Sequence, residues 1–482
     1  MGSRIENLPT LMMRIAVVGG GPGGLFTARL LEEKHKGFCQ ITVFEAAHRT
    51  GGKVFTRQFD SAPVCYEAGV AELYNYAEVG PDPLLHLVEK LGLKTVPMDG
   101  HAVILNGRIL NNPEDIQRSC GPATLKAIRG FRARCGEALP LAAWYEGDCH
   151  YDNTHPWAGL SCEDILDEIG DSQARKYLKV AAHSDLATEP HLTNGLNGLK
   201  NFLMDVPGYI RLYAVQGGIE QVPARVRAQL MHTRIETGCA VTRIAKNADD
   251  TYQVTYRRNH GPAADFNFDA VFVALPHNWL GSIEWGGETL RRAMSRFIGY
   301  YDRPGHYLRV SILFREPFWR DRVSGSWFML DAFGGCCVYD EGTRHDAGKF
   351  GVLSWLIAGT DALSMSGCDD EALARTVIAS LPAPLDSEAA RLIVEAKVQR
   401  WPASVSAQPG GLPVRSARSA HLPEPQQHAG LFMVGDYLFD STINGTLDSA
   451  DFATDLLNEW ILNGRPDRTV ESAAYAGASG SW

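Results

Sequence analysis

At 482 residues with 45% hydrophobic side chains, the chain is long enough for two or three domain-sized units around a large core. A formal net charge of -10 argues against a polyanion as the main partner, so nucleic acid is not expected. No stretch reaches the roughly 20 uninterrupted apolar residues of a membrane span, because glycines break the longest runs.

The opening MGSRIENLPTLMM lacks the apolar core of a secretory signal, which predicts a cytoplasmic location. Ten cysteines occur without a single C-x-x-C pair, so neither a disulfide framework nor a metal site is expected. Free thiols in a reducing compartment are the plain reading, with adjacent Cys336 and Cys337 leaving a redox-active pair open.

RIAVVGGGPGGLF, residues 14–26, reads as a buried strand, a glycine turn and a helix over Leu25–Lys36. A second strand, QITVFEA, ends at Glu45, completing a βαβ unit with a right-handed connection. Gly19, Gly21 and Gly24 satisfy G-x-G-x-x-G: tight turn, backbone approach to a pyrophosphate, and close helix packing. Glu45 can accept hydrogen bonds from both ribose hydroxyls of an adenosine and would repel a 2'-phosphate. This leaves NAD and FAD as the candidate dinucleotides.

From about Pro81 the pattern becomes helical with charged faces, which predicts a different domain. Within it His183, Asp185, Glu189 and His191 stand among apolar residues at spacings better suited to a helix boundary than to a metal. His183 and Asp185 are nevertheless candidates to reach a pocket, with Tyr213, Trp327 and Trp355 as candidate lining or ordinary core. Strand alternation returns over Thr233–Pro276, and strands and helices mix again through Leu308–Trp319. A last apolar strand, Gly430–Asp436, precedes a glycine turn and a helix beginning TLDSADFA.

EAAHRTGGK, residues 45–53, resembles the E-x-x-x-R-x-G-G-R element of the flavin amine oxidase (monoamine oxidase-like) family, with Lys53 in place of its final arginine. Further resemblances span most of the chain: YEAGVAEL with Gly69 toward the flavin, VQGGIEQVPARVRAQL followed by Val241 near the adenine, and FDAVFVALP with Asp269 and Pro276. VQRWP places Trp401 near the flavin, and GLFMVGDYLFDSTINGTLDSADFA resembles the terminal element. In that element Asp436, after Gly435, stands for the usual glutamate, and Thr446 and Leu447 open a helix whose N-terminus faces the flavin.

The resemblance implies FAD as cofactor, bound through Gly19, Gly21, Gly24, Glu45, Arg49, Gly51, Gly52, Lys53, Gly69, Val241, Trp401, Gly435, Asp436, Thr446 and Leu447. Binding would be noncovalent, because Gly410 stands where the family's linking cysteine falls. The implied fold is α/β: a discontinuous Rossmann-like FAD-binding domain over 12–75, 205–285 and 395–465, and a mixed α+β substrate-binding domain over 76–204 and 286–394. Residues 466–482 form a tail.

The implied reaction is hydride transfer from a C–H beside an amine nitrogen to flavin N5, giving an imine. The alternative is a C–C desaturase of the phytoene or protoporphyrinogen oxidase type. A protein that keeps the flavin without turnover is the third reading. Arg309 aligns with the family lysine beside N5, leaving oxidase or dehydrogenase behaviour open, with oxygen or another electron acceptor. Gly410, Gly411 and Thr446 replace the family's aromatic cage, which points to a bulky or polar nitrogen-containing small molecule. A homodimer is one oligomeric option.

Overall fold

Apart from the exposed Arg14 near its start, Met13–Val18 is a run of apolar residues, and Ile15–Val18 is buried on both faces at the centre of a five-stranded sheet. The computed structural model describes residues 12–35, 37–76, 80–138, 155–203, 210–407, 415–439 and 441–463. The sheet is wholly parallel, in the order Thr233–Glu236, Cys39–Phe44, Met13–Val18, Ala270–Val273 and Leu431–Met433. Five chain segments far apart in sequence therefore converge on one scaffold.

Strand alternation then sends residues to opposite layers. Ile15 and Val17 join Leu25 and Phe26 of the helix Pro22–Lys34 and Leu456 and Leu457 of the helix Ile443–Leu462. Ala16 and Val18 face the other way, onto a four-stranded sheet that includes Cys239–Lys246 and onto the helix Glu288–Tyr301. The first helix begins at Pro22 rather than Leu25, since proline fits the first helical position, where its missing N–H costs nothing.

A second, seven-stranded sheet runs in the order Ile393–Ser406, Pro304–Phe314, Gly351–Ala358, Cys336–Asp340, Trp327–Leu330, Ala102–Leu105 and Arg108–Leu110. Helices that include Pro122–Ala138 and Ser172–Leu186 cover one face, and those of residues 359–392 the other.

Two segments sit differently from the expected boundaries. Ile393–Ser406, expected with the cofactor segment 395–465, pairs along its length with Pro304–Phe314 of the seven-stranded sheet. Pro83–Lys90, expected with 76–204, buries Leu84, Leu87 and Val88 in the cluster under the parallel sheet. Both carry apolar residues on the side facing those neighbours, and burial rather than chain order assigns them. Gly410, Gly411 and residues 466–482 lie outside the described residues.

Candidate active site

The glycine turn follows the central parallel strand. A Cβ on Gly24 would lie 1.9 Å from the Gly19 carbonyl oxygen, so only glycine lets the helix sit this close to the strand. Gly21 precedes this helix as its cap and offers no side chain, leaving the N-terminal N–H groups and positive dipole end for an anion. Glu45, at the end of the second strand, accepts from the Gly20 and Ala47 N–H groups, each at 2.7 Å, and so holds its carboxylate against the turn.

The arginine-glycine element closes over this turn. Gly51 N–H donates to Gly20 O at 2.8 Å, and Gly52 approaches Gly21 so nearly that a Cβ would meet its Cα at 3.1 Å. Arg49 donates to Gly52 O at 2.5 Å and stacks over Phe55, shaping its own loop. Lys53 reaches across the chain to Ser404 O at 2.6 Å and to Asp436 at 3.2 Å. Val241, half-buried, packs in the layer that holds Phe44, on a strand whose Cys239 N–H donates to Glu45 O at 2.8 Å.

The last element arrives from the far end of the sequence. Gly435 N–H donates to Ser449 Oγ at 3.0 Å, and the methyl of Thr446 lies 3.3 Å from where a Gly23 Cβ would stand. The helix here opens at Ile443 with Thr442 as its cap, earlier than the Thr446 and Leu447 start expected from sequence. Thr446 N–H and hydroxyl both donate to Thr442 O, at 3.1 and 2.9 Å, so the exposed helix end belongs to the residues before it.

A dinucleotide fits this arrangement. The cradle is one that side chains would fill, and Ser404 Oγ, Ser406 Oγ, His277 Nε2 and Tyr437 OH are buried around the Lys53–Asp436 pair without a hydrogen-bond partner among the described residues. Burial pushes the His277 imidazole down to about 4, with Asp436 opposing the shift, so it is neutral at pH 7 and able to accept or donate one hydrogen bond.

Gly69 and Trp401 lie on the side of the cradle toward the seven-stranded sheet. A Cβ on Gly69 would fall 1.8 Å from Lys53 O, and the Trp401 indole N–H donates to Ala68 O at 2.7 Å. Arg309 sits behind the same segment, 1% exposed, donating to Gly69 O at 3.0 Å and to Glu341 at 2.7 Å. Arg344 bonds Glu341 at 2.8 Å and donates to Ala71 O. Burial opposes ionisation of Glu341, but Arg344 and Arg309 hold it down to about 2. Glu67, fully buried beside them, is pushed up to about 7 by burial, against the pull of Arg344.

The cavity lies beyond this segment, between the opening of the Ile443–Leu462 helix and the helical cover of the second sheet. Tyr74, Tyr76, Asp185, Lys200, Tyr307 and Thr442 are among its walls. Of the substrate residues expected from sequence, the structure brings Asp185 there and takes the others elsewhere.

His183 is 3% exposed, with Nδ1 on Gly335 O at 3.0 Å and Nε2 on Glu189 at 3.2 Å, joining two loops. Trp355 is fully buried on the opposite face of the seven-stranded sheet, among Leu308, Val310 and Val338. Trp327 packs over Gly100, where it leaves no room for a Cβ, and Tyr213 is buried with Val215 under the parallel sheet. Cys336 and Cys337 are buried strand residues whose thiols burial pushes up, which removes them as a redox pair. Among the described residues no group of His, Cys, Asp and Glu could hold a metal.

Sequence reasoning missed Tyr74, Tyr76 and Tyr307. A signal was present: Tyr74 and Tyr76 alternate just after the YEAGVAEL element, and Tyr307 stands two residues before Arg309 on the same strand face. The Glu67–Glu341–Arg344 cluster had only the EGTRH run as a trace.

Comparison with known proteins agrees with this geometry. The family model described as flavin containing amine oxidoreductase matches residues 22–458. The amine oxidase [flavin-containing] A of Equus caballus is 22% identical over 371 residues, 72% of this chain and 65% of that protein, so the chain spans about 65% of the length of that relative. The putrescine oxidase of Kocuria rosea is 25% identical over 415 residues, 79% of this chain and 80% of that protein. A solved putrescine oxidase bound to putrescine superimposes with a TM-score of 0.72 at 20% identity, covering 93% of this chain and all of that one, a likeness of fold. The glycine cradle, its converging elements and the family match together make this chain a member of the flavin-containing amine oxidoreductases.

Proposed function

We propose that the chain oxidises an amine at a carbon beside nitrogen, giving an imine, with noncovalently bound FAD. The observation that carries this is a polar and aromatic cavity set against the cofactor cradle, reached from one side by Thr442 and from the other by Tyr307 and Asp185. Glu45 would hold the adenosine ribose, the Pro22 helix end the pyrophosphate, and Lys53 with Asp436 the middle of the cofactor. Bound FAD supplies a hydride acceptor.

The protein's own work is then to orient and desolvate the amine. Hydride loss requires a nitrogen lone pair, and walls of Tyr74, Tyr76 and Tyr307 favour the neutral amine over the ammonium. A polyene substrate, as in a desaturase, would set an apolar chain against a wall that includes the polar side chains of Asp185, Lys200 and Asn197, which disfavours that reading. Arg309 acts from behind Gly69 and holds it, with oxygen or another acceptor completing turnover. No described helix is long and apolar enough to cross a membrane, and we place the enzyme in the cytoplasm with a small-molecule substrate.

The test is direct. Purified protein should be yellow and should release its flavin on acid or heat denaturation, and amines should bleach it anaerobically. A colourless protein that no flavin reconstitutes, or one bleached by polyenes or porphyrinogens and by no amine, would overturn the proposal.

A further inference from the structure

We infer that His277 and Ser404, to which no motif assigns a role, bind the hydroxyl chain that joins the flavin ring to the diphosphate of the cofactor. This rests on the reading above that the chain holds FAD. His277 opens the short helical turn His277–Ser282, directly after Pro276 and beyond the carboxyl end of the parallel strand Ala270–Val273. Open parallel sheets bind their ligands at the carboxyl ends of the strands. The same run touches the glycine turn, since a Cβ on Gly19 would lie 2.4 Å from Ala274 O. The imidazole is 5% exposed and sits edge-on to Tyr437, with ring centres 6.0 Å apart.

Ser404 is brought to the same place by an irregularity in its strand. Trp401 stands opposite Tyr307 and Val405 opposite Gly305, so Pro402, Ala403 and Ser404 together face the single residue His306. Ala403 takes a left-handed backbone, φ 54°, and its N–H donates to His306 Nδ1 at 3.1 Å. Bulges re-aim side chains beside binding sites, and a non-glycine residue held at positive φ is a cost that folded chains concentrate there. Ser404 follows, 8% exposed, with its carbonyl accepting from Lys53 Nζ at 2.6 Å.

His277 Nε2, Ser404 Oγ and Ser406 Oγ are buried with no hydrogen-bond partner among the described residues. Ser406 also lines the substrate cavity, so the assignment is made for the first two. Burying such atoms unpaired is costly, and a bound group that pairs them recovers that cost. An anion does not suit the place: the charges of Asp436 and Lys53 both bear on His277, and the two pair with each other at 3.2 Å. The diphosphate has the open helix end at Pro22 instead. An apolar or aromatic group would leave the imidazole and the hydroxyl unpaired. Hydroxyls both donate and accept, so they satisfy a neutral imidazole, a serine, a carboxylate and an ammonium alike. The position agrees, because Ser404 lies between Lys53, whose loop closes over the glycine turn, and Trp401 on the side of Gly69.

The test equilibrates the holoenzyme with excess FAD analogues that lack the 2'-, 3'- or 4'-hydroxyl of the ribityl chain, and reads the bound fraction of each after denaturation. At least one analogue should bind the wild type about tenfold or more weaker than FAD, the scale of a buried partner left unpaired. His277→Leu and Ser404→Ala should each speed the loss of FAD on dilution, read as free-flavin fluorescence, and should shrink that penalty to within about threefold. His277→Gln, which keeps a neutral hydrogen-bonding group, should restore most of the retention. Should His277→Leu hold no flavin, Ser404→Ala, the smaller change, decides. Analogues that all bind the wild type within about twofold of FAD, or penalties unchanged in either variant that keeps its flavin, would overturn the inference. A chain that holds FAD and discriminates none of the analogues loses only this inference; a chain that holds no exchangeable flavin loses the reading of noncovalent FAD itself.

Discussion

Removing Arg309 tests what holds the flavin-side segment in place. Its guanidinium is 1% exposed, 2.7 Å from the fully buried Glu341 and 3.0 Å from Gly69 O. Breaking a buried ion pair by deleting one partner costs about 3–5 kcal/mol, because the remaining charge stays desolvated. Arg309→Met belongs at the lower end, since Arg344 still neutralises Glu341 from 2.8 Å. Loss of the donor to the Gly69 carbonyl adds about 1 kcal/mol. The expected cost is then about 4 kcal/mol, with Glu341→Gln similar because two guanidiniums lose their shared anion. The assay is urea unfolding of the flavin-loaded protein, followed by tryptophan fluorescence and flavin release. A double-mutant cycle should show at least about 2 kcal/mol of coupling between the two positions. A cost for Arg309→Met below about 1 kcal/mol, or strict additivity, would refute the reasoning and return Arg309 to the role of a side chain free to meet the flavin.

Glu67 predicts a pH dependence. Its carboxyl titrates near 7 in the folded chain against an ordinary 4.5, so the folded state keeps a proton that the unfolded state has released. Stability should fall as pH rises from about 4.5 and level off above about 7, and Glu67→Gln should flatten that window in a series of urea midpoints. Glu341, held down to about 2, works in the opposite sense: its contribution is full above 4.5 and lost as pH falls toward 2. Gly21→Val should abolish flavin retention while the apoprotein stays folded, because the nearest atom to a Cβ there is Gly52 Cα across the cradle at 3.7 Å. Gly24→Ala should instead lower the melting temperature of the apoprotein, since its Cβ meets the turn itself at 1.9 Å. Trp355→Phe should reduce stability and leave KM for amines unchanged; a shifted KM would place that face of the sheet in the site.

The cofactor half was readable from the sequence because its physics is local. A glycine where a helix meets a strand, an acid at the end of the next strand and a glycine pair after an arginine are each required by a close approach within a few residues. Residues 14–53 carry all three. The parallel strands were legible for the same reason, as short apolar runs ending in turn residues.

The substrate half was not, because its walls come from segments that only the tertiary structure brings together: Tyr74, Asp185 and Tyr307 line one cavity from two sheets and a helix. Local pattern could not separate Asp185 from its neighbour His183, which a helical turn directs to Gly335 and Glu189. Nor could it foresee that Arg309, on a strand face toward the site, is drawn back by Glu341, a residue 32 positions away. The sequence by itself determined that a dinucleotide is cradled here. Which charges remain to greet a substrate was decided by long-range ion pairing in the folded core, since each buried charge must find its partner wherever the chain has placed one.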